Sequence, residues 1–233
     1  DEYISFVYGD LQDVVQDSFE EQSGWTVGDD SDSATTGIWV LADPNGTYLY
    51  DSIVQPEYDH SDPGSQCFVT GNLGGSNAGE DDIDNGETTL FSPIYNLSEF
   101  SDVLISYWYW YSNNQGNAPG SEQWQVYVTN NAASSLNPTW VPFQITNVST
   151  SGWEEYRSLL SSTVELTNQV QFKFVAEDRV DNDGCLVEAA LDDFLIESYG
   201  ASDLLLGDLN FDSTINILDV VQMVSIVIGE TNP

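Results

Sequence analysis

Between residues 208 and 219 an oxygen-bearing side chain recurs at every second position, as Asp208, Asn210, Asp212, Thr214 and Asn216, and the run closes on Asp219. Alternating carboxylate, amide and carbonyl oxygens let one tight turn wrap a hard cation, and calcium is the ion whose ligand demand this chemistry suits. An Asx-rich turn without metal is the simpler alternative. The remaining reactive inventory is thin. His60 is the only histidine and sits in Asp59-His60-Ser61-Asp62-Pro63, so a Ser-His-Asp arrangement would depend on it alone. The 39 acidic residues offer many carboxylate pairs, but no spacing singles out an acid and a nucleophile for glycoside hydrolysis. These residues point away from an enzyme and toward ion binding.

The charge balance narrows the partners. Against 39 acids stand only Arg157, Lys173 and Arg179, for a formal net charge of −36. Nucleic acid and anionic membrane surfaces are excluded as partners, because both are recognised through Lys and Arg. So many carboxylates in one compact body repel each other, and bound cations or high salt relieve that repulsion. Calcium, Ca2+, is the expected cofactor. The two cysteines, Cys67 and Cys185, are far apart. In an oxidising compartment they would close a long loop worth about 4 to 5 kcal/mol in the chain-entropy model; two separate buried thiols are the alternative. Sequons at Asn45, Asn96 and Asn147 permit glycosylation. No charged segment followed by an apolar core marks a signal peptide, and no run of eighteen apolar residues occurs. The expectation is a mature, secreted product, extracellular or at the cell surface, with no membrane insertion.

The elements that must position these groups read as strands. Short apolar and aromatic stretches alternate with clusters of Gly, Asn, Asp, Ser and Pro, the punctuation of an all-β fold. The pattern predicts strands over 3–8, 25–27, 37–41, 66–70, 88–91, 103–111, 124–129, 140–145, 153–159, 170–176 and 186–197. In the 103–111 segment, Tyr107, Tyr109 and Tyr111 alternate with Trp108 and Trp110, so one aromatic row is expected in the core and the other outside it. Composition changes near residue 200. Beyond it, residues 217–228 carry only Asp219, Gln222 and Ser225 as polar positions. A helix there would be apolar around most of its circumference and would have to be buried; the Val and Ile content also admits an added strand in a neighbour's sheet.

Several phrases taken in order carry a family resemblance: Asp17-Ser-Phe-Glu20 leading to Gly24-Trp25, Ile38-Trp39 through Asp43 to Gly46, Asp59-His60, Cys67-Phe-Val-Thr70, Thr89-Leu-Phe-Ser-Pro93, the aromatic strand through Trp110, Gly152-Trp153, and Leu191-Asp192-Asp193-Phe194. The stretch resembles the MAM-like jelly-roll modules appended to secreted bacterial peptidases of the immune-inhibitor-A type. That resemblance implies a two-sheet antiparallel β-sandwich with a calcium ion near its first and last strands. Residue by residue, it implies Glu20, Asp192 and Asp193 as ligands, with Asp43 next. Cys185 stands where those modules usually carry a large residue. The 208–219 run is similar to a single dockerin repeat, whose calcium loop would use Asp208, Asn210, Asp212, Asn216 and Asp219, and the carbonyl of Thr214. Ser213 departs from the glycine such a loop prefers.

The expected organisation is a 1–16 N-terminal arm, a 17–199 jelly roll and a 200–233 dockerin-like loop-helix segment. The leading functional expectation is a non-catalytic, calcium-binding structural or adhesive module. It would assemble as a homo-oligomer, or with a cohesin-like partner, through 200–233, as a surface-layer or filament subunit. The alternative is a carbohydrate-binding accessory module of a secreted enzyme or a cellulosome-like complex, taking a glycan on exposed aromatics. The aromatic strand with Trp124, Trp140 and Trp153 could form that platform, although most of these aromatics are expected in the core.

Overall fold

The computed structural model describes residues 11–21, 23–74, 78–133, 138–179, 184–199, 209 and 216–227. The chain divides into two compact units, one formed by Asp1–Gln12 with Tyr199–Pro233 and the other by Asp13–Ser198. The strand expected at 3–8 lies outside the described residues.

The larger unit is a β-sandwich of antiparallel sheets. Its first sheet runs in the order β11 (Glu154–Leu159), β8 (Leu104–Gly116), β13 (Cys185–Tyr199), β6 (Cys67–Thr70) and β3 (Trp39–Ala42), with β1 (Leu11–Asp17) also paired to β13. The second runs β10 (Val141–Thr146), β9 (Trp124–Thr129), β12 (Gln171–Asp178), β7 (Gly86–Phe91) and β2 (Thr26–Val27). A separate hairpin joins β4 (Thr47–Leu49) to β5 (Ser52–Gln55).

The core lies between the two sheets and is largely aromatic. Alternation along β8 sends Tyr107, Tyr109 and Tyr111 inward, while Trp108 and Trp110 stand half-buried on the reverse face. Strands β9 and β12 answer with Trp124, Val126, Val128, Phe172, Phe174 and Ala176, all fully buried. Tyr109 stacks on Trp124 at 5.6 Å, and Trp25 meets Phe194 edge-on at 5.2 Å. Each large side chain removed from water contributes roughly 1.5 to 3 kcal/mol. Two polar ends share one acceptor, since the Tyr107 hydroxyl and the Trp124 indole N–H both donate to Gln144 Oε1 at 2.7 Å, whereas the buried Tyr111 hydroxyl makes no hydrogen bond.

Strand β13 changes phase midway. Val187, Ala189 and Leu191 face the core, then Phe194 and Ile196 do, so the parity flips at the register shift between Asp192 and Leu195. Asp193 sits there at φ +47°. Such a bulge lets two consecutive residues escape the alternation that would otherwise send one of them inward.

Two sequence expectations need correction. Cys67 and Cys185 are both buried and unbonded. In the antiparallel pairing of β6 with β13, Ala190 lies opposite Val69, so Cys67 comes level with Asp192, seven residues along the strand from Cys185. At about 3.3 Å per residue that is roughly 20 Å, far beyond disulfide reach. Trp124, expected on a binding platform, is fully buried in the core.

In the smaller unit, α1 spans Ile217–Val227, so the strand alternative for this segment does not hold. Asn216 Oδ1 accepts the Leu218 N–H at 2.7 Å and Asp219 Oδ2 accepts the Asn216 N–H at 2.7 Å, a reciprocal capping arrangement at the helix start. In the single chain Ile217, Leu218, Val220, Val221, Met223 and Val224 are all half or more exposed.

Candidate functional site

Two regions of the sandwich gather polar chemistry. The first lies where the 56–66 segment crosses the bulge of β13. Asp192 is fully buried there. Its Oδ2 accepts the backbone N–H groups of His60 at 2.8 Å and Ser61 at 3.1 Å, and its Oδ1 accepts that of Asp193 at 2.8 Å. Burial is the main cause pushing its carboxyl up to about 7, against the lowering effect of the His60 N–H. Asp193 binds His60 Nδ1 at 2.7 Å and the Ser61 hydroxyl at 2.9 Å. The His60 ring stacks on Trp108 at 3.8 Å with the planes 14° apart, and Trp153 donates its indole N–H to the Tyr58 carbonyl at 3.0 Å. The single histidine is therefore wedged between an aromatic ring and a carboxylate.

Glu20 reaches the same end of the fold from the turn after β1, its Oε1 accepting the N–H groups of Ser65 and Gln66 at 2.9 Å. Asp59, which the sequence did not single out, completes the group. A Cβ built on Gly64 would stand 2.5 Å from Asp59 Oδ2 and 2.9 Å from Glu20 Oε1, so both oxygens border one small space. Asp59 Oδ2 is buried and makes no hydrogen bond. Its carboxyl is raised by burial first, then by the charges of Glu20, Asp193 and Asp43. Asp43 itself is exposed, and its carbonyl accepts the Asn72 amide at 2.9 Å.

Glu20, Asp43, Asp192 and Asp193 thus occupy one neighbourhood, although among the described residues no three or more carboxylate, imidazole or thiol groups form a ready-made cage for a metal ion. The donor chemistry nonetheless suits a hard cation, because mutually repelling carboxylates and an orphaned buried oxygen are what such an ion would satisfy. Of the other expected ligand set, Asp208, Asn210, Asp212 and Thr214 lie outside the described residues. Asn216 and Asp219 are occupied in the helix cap, and Asp219 Oδ1 also accepts the Leu209 N–H at 2.7 Å.

The second region is the face of the second sheet turned away from the core. On β12 the outward positions are Gln171, Lys173, Val175 and Glu177. Register places Lys173 between Phe91 of β7 and Tyr127 of β9, and Val175 between Thr89 and Gln125. Lys173 Nζ stands 5.3 Å from the Tyr127 ring centre and 5.1 Å from that of Trp140, and Trp140 in turn meets Phe91 at 5.8 Å. Farther along, Arg179 pairs with Glu87 and Glu177. Burial chiefly, and then the Glu122 charge, push the Glu177 carboxyl up to about 7. Of the aromatics expected on a platform, only Trp140 is on this face. Trp108, Trp110 and Trp153 lie half-buried on the outer side of the first sheet, where Trp110 donates to the Val54 carbonyl at 2.7 Å.

No protein-family model matches the chain, and no curated protein matches it. Solved structures similar to it include the K1 cleaved adhesin domain of Lys-gingipain from Porphyromonas gingivalis W83, at 15% identity over 82% of this chain and 100% of that one, with a TM-score of 0.49. The family 11 carbohydrate-binding module from Clostridium thermocellum, in complex with a β-1,3-1,4-mixed-linked tetrasaccharide, is 10% identical over 82% and 96%, with a TM-score of 0.46. The C-terminal family 22 carbohydrate-binding module of Clostridium thermocellum Xyn10B is 11% identical over 82% and 95%, with a TM-score of 0.42. Among the described residues no helix is long and apolar enough to cross a membrane.

Proposed function

We propose that the Asp13–Ser198 sandwich is a non-catalytic carbohydrate-binding module of a secreted or cell-surface protein. It takes a glycan on the outer face of its second sheet and is stiffened by calcium at its carboxylate end. The observation that carries this reading is the cluster of Phe91, Tyr127 and Trp140 around Lys173, bordered by the amides of Gln125 and Gln171 and mounted on paired strands. A sugar presents apolar C–H faces and polar hydroxyl edges at once. A site that recognises it therefore needs flat apolar surface beside amide and charged groups, held by a rigid scaffold. At the other end, Glu20, Asp59 and Asp192 would hold calcium, with Asp43 and Asp193 close by. The ion would neutralise that charge and fasten the 56–66 segment to β13.

Affinity electrophoresis through gels containing soluble polysaccharides tests the glycan face. Retardation of the parent protein should weaken about fivefold to thirtyfold in Trp140→Ala and Tyr127→Ala, since stacking on an aromatic ring contributes on the order of 1 to 2 kcal/mol. Equal retardation of all three proteins would sink the assignment. A second reading, docking of 200–233 onto a second copy or a cohesin-like protein, is supported by the exposed apolar side chains of α1. Light scattering before and after removal of 200–233 tests it, and an unchanged mass would reject self-assembly.

A further inference from the structure

We infer that the glycan taken by the second sheet carries an anionic group, a carboxylate or a sulfate, and that Lys173 is the residue that recognises it. The inference rests on the carbohydrate-binding reading above and specifies its ligand class.

The sequence supplies only three Lys or Arg residues against 39 acids, so each cation has many carboxylates to choose from. Arg157 takes Glu197 at 2.6 Å and Glu155 at 3.9 Å, and Arg179 takes Glu87 and Glu177. Among the described residues no carboxylate pairs with Lys173. Its neighbours in register are Phe91 and Tyr127, its partners along the outer row of β12 are Gln171 and Val175, and Trp140 closes the other side. All of these are uncharged. The site therefore holds an ammonium in an aromatic and amide frame, in a chain whose other cations are both neutralised internally.

An unneutralised cation on a face lined by rings fits a sugar that brings its own negative charge. The rings pack against the C–H face of the pyranose, and the ammonium meets the anionic substituent in a charge-assisted hydrogen bond. The net charge of −36 opposes such a ligand at long range. That repulsion is screened beyond about 8 Å at physiological salt, so the uncharged surroundings of Lys173 decide the local balance.

The test is calorimetric titration at an ionic strength of about 0.15 M. The ligands are galacturonan, glucuronan and mannuronan oligomers, each beside its carboxyl-reduced counterpart, plus a sulfated oligomer of the same backbone. The expected result is that at least one charged oligomer binds about tenfold or more tightly than its neutral counterpart, from the loss of one charge-assisted bond. Lys173→Gln should then lower the charged oligomer to the level at which the same variant binds the neutral one. The sulfated arm tells whether carboxylate or sulfate is the preferred group. Equal or tighter binding of the neutral oligomers, or a preference that survives Lys173→Gln, overturns the inference while leaving the carbohydrate-binding reading in place. If neither these oligomers nor a panel of neutral polysaccharides bind, both fall.

Discussion

Removing the Asp192 carboxylate should loosen the whole 56–66 segment. Asp192→Ala leaves three backbone N–H groups, those of His60, Ser61 and Asp193, without the oxygens they now meet at 2.8, 3.1 and 2.8 Å. An orphaned buried donor costs about 1 to 3 kcal/mol. His60 and Ser61 are only half-buried, so water recovers part of their loss, and the lower end of that range applies to them. The expected destabilisation is about 3 to 4 kcal/mol, which for a domain of this size lowers Tm by roughly 10 °C. Asp192→Asn keeps one acceptor oxygen and should lose about half as much. Urea unfolding followed by tryptophan fluorescence, in chelator at about pH 4.5, where the raised Asp192 carboxyl is neutral in the fold and carries no charge-burial cost, measures both, with an unchanged m-value as the check that the unfolding transition is the same. If Asp192→Ala lies within about 0.5 kcal/mol of the parent, the bonds drawn from Asp192 do not fasten this segment, and the reasoning fails.

Two further outcomes follow from buried groups. The Asp82 carboxyl, 4% exposed, is pushed up to about 7 by burial first and then by the charges of Asp84 and Asp178. A raised acid contributes stability that is complete below its unfolded value near 4 and is lost as pH rises through 7. Metal-free protein should therefore be more stable at pH 5 than at pH 8, with Asp82 supplying up to about 3 kcal/mol of the difference. Asp82→Asn should flatten that profile, and identical pH slopes for the two proteins in thermal scans would refute it. Because Cys67 and Cys185 are separate buried thiols, reductant should leave Tm unchanged. Burial, together with the Asp192 charge, raises the Cys67 thiol further, so it should resist a thiol reagent until the protein unfolds; rapid labelling of the native protein would contradict the observed packing.

Much of the sandwich was legible because its strands carry strong local signals. The aromatic alternation of 103–111 located β8 and separated a core row from an outer one, and the structure makes the tyrosines the core row. The segments around Trp124, Phe172 and Leu191 were equally clear. Strand β1 was missed, since LQDVVQD is rich in Gln and Asp and is held by pairing with β13 rather than by its own preference. The short β4 and β5 hairpin gave no periodicity to read. Glu20, Asp192 and Asp193 were marked as ligands by their motif phrases, whereas Asp59, though part of the Asp59-His60 phrase, was not, because its role depends on where Gly64 and Glu20 arrive in space. The Lys173 face was invisible for a related reason. Its rings come from two separated strands and a loop, and only their register with the strand of Lys173 makes Phe91, Tyr127 and Trp140 neighbours. Burial also misdirected one expectation, as Trp124 looks the same in sequence whether it faces a sugar or the core.

The pairing of β1 with β13 sets how tension would travel through this module. The chain enters the sandwich along one of these strands and leaves along the other, so its two exits are anchored to a common seam. A pull between flanking segments would load that seam first and reach the aromatic layer only through the side chains β13 sends into it, Phe194 among them. The second sheet, built entirely from other strands, would keep its shape while the doorway yields.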